Sequence, residues 1–254
     1  MKTFLALGST LMLALGVGSQ SLAVQQQDIL PVPASQVATI KEAAKSQLKV
    51  LISTKDQAIK SLVEQARLMY WIGQFSKDDD ERLKSYETGM SLMEPFLQNK
   101  SENPAPVLLW AANAGGYASQ KKNLASLKLL DQIEQNLIAS ANQYPEFESG
   151  AAHRALADIY YIAPPFISVG SKKKALKHAQ IAYKIDPHHP GNMLIMAKLF
   201  MDDGKEDKAR ALFKEVLILA SPDRFPFDFV GWRAEALEGL DSPQGLKLSL
   251  SANG

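Results

Sequence analysis

From Ser35 onward apolar residues return every three or four positions. Val37, Ile40, Ala44, Leu48 and Leu51 form one stripe, with Lys41, Glu42, Lys45 and Lys49 between them, a spacing that predicts an amphipathic helix. A second stripe starts near Asp56 and runs through Ile59, Leu62, Val63, Ala66, Met69 and Tyr70. Lys77 to Asp80 is a charged break in which Asp79 or Asp80 is expected to cap the next helix, which carries Leu83, Tyr86, Met90 and Met93 toward Pro95. Asn103-Pro104-Ala105-Pro106 punctuates the chain. Further helices fit Val107 to Ser119, Leu124 to Asn142, Glu148 to Ile162, Lys172 to Ile185, Asn192 to Met201, Glu206 to Leu219 and Phe227 to Leu237. No stretch sustains a period of two with turn signals, so the chain reads as all-α, built of paired antiparallel helices.

The second half repeats. Met193, Met196, Ala197 and Phe200 are followed by Gly204, then by Ala209, Phe213 and Pro222. They occupy the places of W-x2-L-G-x2-Y, A-x3-F and P in the tetratricopeptide pattern of about 34 residues. The preceding unit supplies His153, Leu156, Ala157 and Tyr160, then Ala175, Ala179, Ala182 and Pro187. Trp110, Asn113, Ala114 and Tyr117 make a degenerate earlier unit with Asn where Leu is expected. A fourth pair, around residues 67–75 and 83–93, is inferred from size alone. Small residues at these places let helices approach, and three or more units bury a continuous core. The expected fold is therefore a tetratricopeptide-like helical-repeat solenoid.

The N-terminus has a different pattern. Lys2 precedes a mostly apolar run from Phe4 to Val17, and Ser21-Leu22-Ala23 ends it with small residues. This is the signature of a secretory signal peptide, with cleavage expected after Ala23. The run is interrupted by Gly8, Ser9, Thr10 and Gly16 and falls short of a membrane span. The organisation expected is a signal peptide over 1–23, a flexible lead-in over 24–34, one helical-repeat domain over 35–240 and a flexible tail over 241–254. The mature chain is expected in the periplasm, without a membrane anchor.

Composition narrows the chemistry. With no cysteine among 254 residues, disulfide scaffolds, thiolate metal sites, thiol nucleophiles and a lipid-modified N-terminal Cys are excluded. The 28 basic and 27 acidic residues give a net charge of +1, no basis for a nucleic-acid partner. Ser46-x-x-Lys49 and Ser171-x-x-Lys174 have a hydrolase-like spacing but lack its companion motifs. Asp186, His188 and His189 read as a solvated turn between repeats. Neither a catalytic residue, a metal site nor a cofactor is expected.

One longer arrangement adds to this. Trp110-Ala111-Ala112-Asn113 precedes a long helix. Gly150-Ala151-Ala152-His153-Arg154-Ala155-Leu156-Ala157-Asp158-Ile159-Tyr160 follows, then a Pro-bearing loop to Val169-Gly170 and Lys173-Lys174-Ala175-Leu176-Lys177-His178. This order resembles the T component of tripartite ATP-independent periplasmic (TRAP) transporters, over roughly residues 62–237. The resemblance implies a non-enzymatic periplasmic accessory on cryptic tetratricopeptide repeats. Such an accessory associates with the substrate-binding component and can form an oligomer with a central pore. General scaffolding of envelope proteins is the alternative.

Two sets of residues are candidates for recognition. The first helix of each unit lines the concave face of a solenoid, which singles out Asn113, Tyr117, Arg154, Asp158 and Tyr161. His153 reads as a core histidine, and Trp71 and Trp110 as packing residues. Asn113 stands as either a buried structural amide or a ligand contact. The second set lies in the insertion from Ala163 to Gly170, about six residues longer than the repeat needs. Its Pro164, Pro165, Phe166, Ile167 and Val169 are too apolar for a plain connection. Phe166 and Ile167 are expected to meet a neighbouring repeat, another copy of the chain or a partner.

Overall fold

The computed structural model describes residues 32–97, 103–121, 123–165 and 168–241. The segment expected to be a signal peptide, most of the expected lead-in and tail, and Phe166 and Ile167 lie outside the described residues. Ten α-helices follow in order: α1 Ala34–Ser53, α2 Ile59–Phe75, α3 Asp79–Met93, α4 Ala105–Lys121, α5 Leu124–Gln143, α6 Ala151–Ile162, α7 Lys172–Ile185, α8 Pro190–Asp202, α9 Glu206–Leu219 and α10 Asp228–Asp241. Among the described residues one 3-10 turn, Glu94–Phe96, extends α3. No strand occurs among the described residues. No described helix is long and apolar enough to cross a membrane.

Successive helices pack in pairs, α2 on α3, α4 on α5, α6 on α7 and α8 on α9. The first helices of neighbouring pairs also touch, α2 with α4, α4 with α6, α6 with α8 and α8 with α10. That ladder is a helical-repeat solenoid. Alanine makes it possible: Ala157, Ala175, Ala179, Ala182, Ala197 and Ala209 are all 0% exposed, and each lets a neighbouring backbone come close. Met193, Phe213, Leu156 and Tyr160 fill the spaces between.

Glycine closes the seam between α2, α3 and α4. A methyl group on Gly73 or on Gly116 would lie 2.6 Å from the Tyr86 ring, so Tyr86 is wedged between two helices that have no side chain at those points. One turn along α3, Gly89 leaves the place taken by the Asn113 amide. Asn113 is 0% exposed and donates to the Ala66 carbonyl of α2 (3.2 Å) and to its own helix at Leu109 (2.8 Å).

Local chemistry sets the helix ends. The cap of α3 is Asp78, which accepts from the Glu81 amide at 2.7 Å; Asp79 and Asp80, expected to cap, lie inside the first turn. α6 begins at Ala151, not at Glu148. Glu148, Ser149 and Gly150 take φ values of 44°, 57° and 77°, a left-handed run that no α-helix continues. α8 starts two residues before the expected Asn192 because Pro190 suits a first helical position.

The ends of the solenoid meet. Trp71 of α2 stacks on Phe227, just before α10, with centroids 5.9 Å apart and planes at 17°. Phe227 also packs against Ala44, Leu48, Leu68 and Ile72 of α1 and α2. Val32 and Ile40 at the start of the described chain pack on the α8–α9–α10 cluster. The inner face is therefore wrapped around a central cavity.

Candidate functional site

The cavity has a volume of about 1080 Å³, large for a small-molecule site. Its walls are the first helices α2, α4, α6, α8 and α10, together with the inner face of α5. Much of the lining is apolar: Leu108, Leu127, Leu130, Ile133, Leu137, Ile159 and Ile162. Along α4 the wall is smooth, with Ala111, Ala112, Gly115 and Ser119. A methyl group added at Gly115 would meet nothing within 4 Å.

The lining also carries charged and aromatic groups, Arg67, Tyr70, Trp71, Glu148, Arg154, Asp158, Lys198, Asp228, Trp232 and Glu235. Arg67 pairs with Glu148 at 3.1 Å and with Glu64 at 3.5 Å. Lys198 pairs with Glu235. Arg154 donates from Nη1 to Asn192 Oδ1 at 3.0 Å and to the Ser149 carbonyl at 3.5 Å. The left-handed run at 148–150 is what offers that carbonyl to the interior. Asn192, 0% exposed, completes the arrangement by donating to the carbonyls of Ser149, Ala182 and Asp186 at 2.9–3.0 Å.

Asp158 stands apart. Its carboxylate makes no hydrogen bond or ion pair with a described residue, and burial raises its pKa to about 6 against the pull of Lys198 and Arg154. Burial likewise raises Asp228, opposed by Arg154 and Arg67. The Tyr70 hydroxyl is pushed well up by burial, helped by neighbouring acidic groups.

Of the residues expected to recognise a ligand or partner, Arg154 and Asp158 line the cavity together. Asn113 does not; it lies in the closed seam behind the wall, where its Oδ1 has no hydrogen-bond partner. It is not off the core register as its grouping with the concave-face residues implied. Tyr117 does not line the cavity and sits half-buried with Lys121 Nζ 5.7 Å from its ring. Tyr161 also turns away, its hydroxyl 3.4 Å from Asp202 Oδ1. Phe166 and Ile167 lie outside the described residues, but Ala163 and Pro164 of the same insertion border the cavity. Gly170 lies so close to the Ala163 carbonyl that a side chain there would collide, and Val169 packs on the main core.

Trp71 is half-buried on the cavity wall, not in the core, whereas Trp110 is 5% exposed in the core. His189 is not in a solvated turn. It is 8% exposed, packs edge-on to Phe225 and Trp232, and caps α8 by accepting from the Gly191 amide at 3.2 Å. Burial, with Arg154 nearby, pushes it down to about 3. His153 is a core histidine whose Nδ1 lies 2.9 Å from His178 Nδ1; burial lowers both, His178 to about 4.

Sequence reasoning missed Arg67, Lys198, Asp228, Trp232 and Glu235. For Lys198 a signal existed. The offset that carries Ala157 onto Ala197 also carries Asp158 onto Lys198. The α2 and α10 residues had none, because only the meeting of the two ends brings them inside.

No family model matches the sequence, and no curated protein sequence matches it. Among solved structures the chain is similar to a thermophilic tetratricopeptide-repeat protein from Thermus thermophilus. The identity is 18% and the TM-score 0.43, over 74% of this chain and 97% of that one.

Proposed function

We propose that this chain is a non-enzymatic exported binding protein that serves a TRAP-type solute uptake system. In this reading it contacts the periplasmic substrate-binding component and holds ligand in the central cavity. The observation that carries the binding role is the cavity itself: about 1080 Å³, lined by both apolar and charged residues and walled by successive first helices. Such mixed lining is what ligand sites have. The transport context is supported by the signal-like N-terminus and by the order of motifs from Trp110 to His178.

The test is a pull-down with the tagged full chain in its native host. The reading expects a periplasmic solute-binding protein encoded beside a membrane transporter. Recovery of no such protein, or an N-terminus left uncleaved, contradicts it. A second reading, a general envelope scaffold, is favoured by Val50 and Ile52, which are 61% and 53% exposed at the end of α1. Envelope-assembly proteins recovered in place of a solute-binding protein select it.

A further inference from the structure

We propose that the central cavity binds an organic monocation, an ammonium group on an apolar body, with the ammonium at the unpartnered carboxylate of Asp158. This rests on the reading of the cavity as a ligand site. Arg67 is matched by Glu148 and Lys198 by Glu235. Arg154 remains, facing both Asp158 and Asp228. One cation against two carboxylates leaves a single surplus negative charge on the cavity wall. Every cation in the wall already has an acceptor, whereas Asp158 receives no donor from any described residue. A half-buried carboxylate with no donor from the protein is poorly satisfied, and a ligand ammonium supplies both the missing donors and the missing charge. An anionic ligand would add to the surplus.

The remaining walls fit the rest of such a molecule. Tyr70, Trp71 and Trp232 also line the cavity, and an aromatic ring favours a nearby cation. Elsewhere in the lining Leu127, Leu130 and Ile159 accept an apolar body. The open space over Gly115 leaves room for it along α4.

A proton competes for the same place. Asp158 is held up to about 6 by burial, with Glu235 raising it and Lys198 and Arg154 lowering it. Asp228 from α10 and Tyr70 from α2 share this interior and are also raised; Arg67 and Glu148 complete the charged groups facing it. As pH falls through about 6, Asp158 takes up a proton, the surplus charge disappears, and cation binding weakens.

The experiment is calorimetric titration of the full mature chain with octylamine, octanol and octanoate, which share one alkyl chain. At pH 7.5 octylamine binds at least about tenfold more tightly than the other two, the size of a buried charge-assisted contact. Asp158→Asn brings octylamine to the level of octanol and leaves octanol unchanged. Lowering the pH to 5 weakens octylamine in the wild type and not in that variant. Gly115→Phe, which fills the cavity where nothing stands in the way, abolishes binding of all three, with helicity by circular dichroism confirming a folded chain. Octanoate binding as tightly as octylamine, or Asp158→Asn without effect, overturns the cation assignment while the cavity remains a ligand site. A Leu-Lys-Leu peptide bound more tightly than octylamine overturns the small-molecule assignment. No binding by any of the three to the folded wild type overturns the ligand site itself.

Discussion

Gly115 and Gly116 are consecutive residues of α4 with opposite surroundings. A methyl group on Gly116 would lie 2.6 Å from the Tyr86 ring; on Gly115 it would meet nothing. Gly116 borders the cavity with its backbone but turns its bare side to the seam, where helices are pressed together until only glycine fits. Gly115 faces the cavity, where the same smallness leaves a wall bare. The two asparagines repeat the lesson. Asn192, behind the charged wall, uses its amide nitrogen on three carbonyls and its oxygen on Arg154. Asn113, in the seam, bonds two helical carbonyls and leaves its oxygen unpaired. Smallness or polarity in a first helix therefore does not mark recognition. What matters is whether the residue faces the seam or the interior.

The asparagines give the largest contrast. Asn192→Leu strips Arg154 of its acceptor and removes the tie between the 148–150 turn, α7 and α8. It should cost about 2–4 kcal/mol. Asn113→Leu removes an amide whose carbonyl partners lie within helices, along with its unpaired oxygen, and should change stability by less than about 1 kcal/mol. Urea melts of both variants check the pair, and equal losses would break the distinction.

Next comes His189, which packs against Trp232 of the cavity wall. Its folded pKa, about 3, lies below the usual histidine value. The unfolded chain therefore binds the proton first, and this residue's contribution is complete above about pH 6.5 and lost as pH falls toward about 3. Between about pH 6.5 and 5 the loss is about 2 kcal/mol. Asp158 has the opposite sign: its raised folded pKa favours the folded state as pH falls from about 6 toward 4. The clean measure is the difference between wild type and His189→Phe. The variant, less stable at pH 7.5 through loss of the cap, should gain on the wild type by about that amount at pH 5. A constant difference across pH would contradict a buried neutral imidazole.

The glycines give the smaller effects. Gly116→Ala forces Tyr86 to move and should cost about 1–3 kcal/mol. Gly115→Ala replaces a helical glycine without a clash and should stabilise by about 0.5–1 kcal/mol. Thermal melts of the two should shift in opposite directions.

These contrasts also mark how far the sequence could be read. Packing between paired helices repeats, so Ala157, Ala179, Ala197 and Phe213 could be recognised as core from their offsets alone. Arg154 and Asp158 could be placed inside because they stand on a first helix, one turn apart. Asn113 sits in the Leu place of its repeat, and its burial follows that register, not its polarity. The closure of the solenoid had no local signature. It depends on Trp71 meeting Phe227 and on Val32 and Ile40 reaching the last repeat, contacts between distant parts of the chain that no period encodes. Nor was the 148–150 turn legible, since Glu148 and Ser149 take the left-handed conformation without being glycine. Both features create the charged wall, which is why most of its residues were missed.

The central claim is that the interior between the first helices is a binding site, distinct from the packed seam. The three tryptophans sample both regions: Trp71 and Trp232 line the cavity, and Trp110 is buried in the core. The most direct measurement follows their indole N–H resonances by NMR during an octylamine titration. The account predicts saturable shifts for Trp71 and Trp232 along one binding curve, with Trp110 unmoved. Three indoles that stay still at saturating octylamine, or a response confined to Trp110, would contradict it.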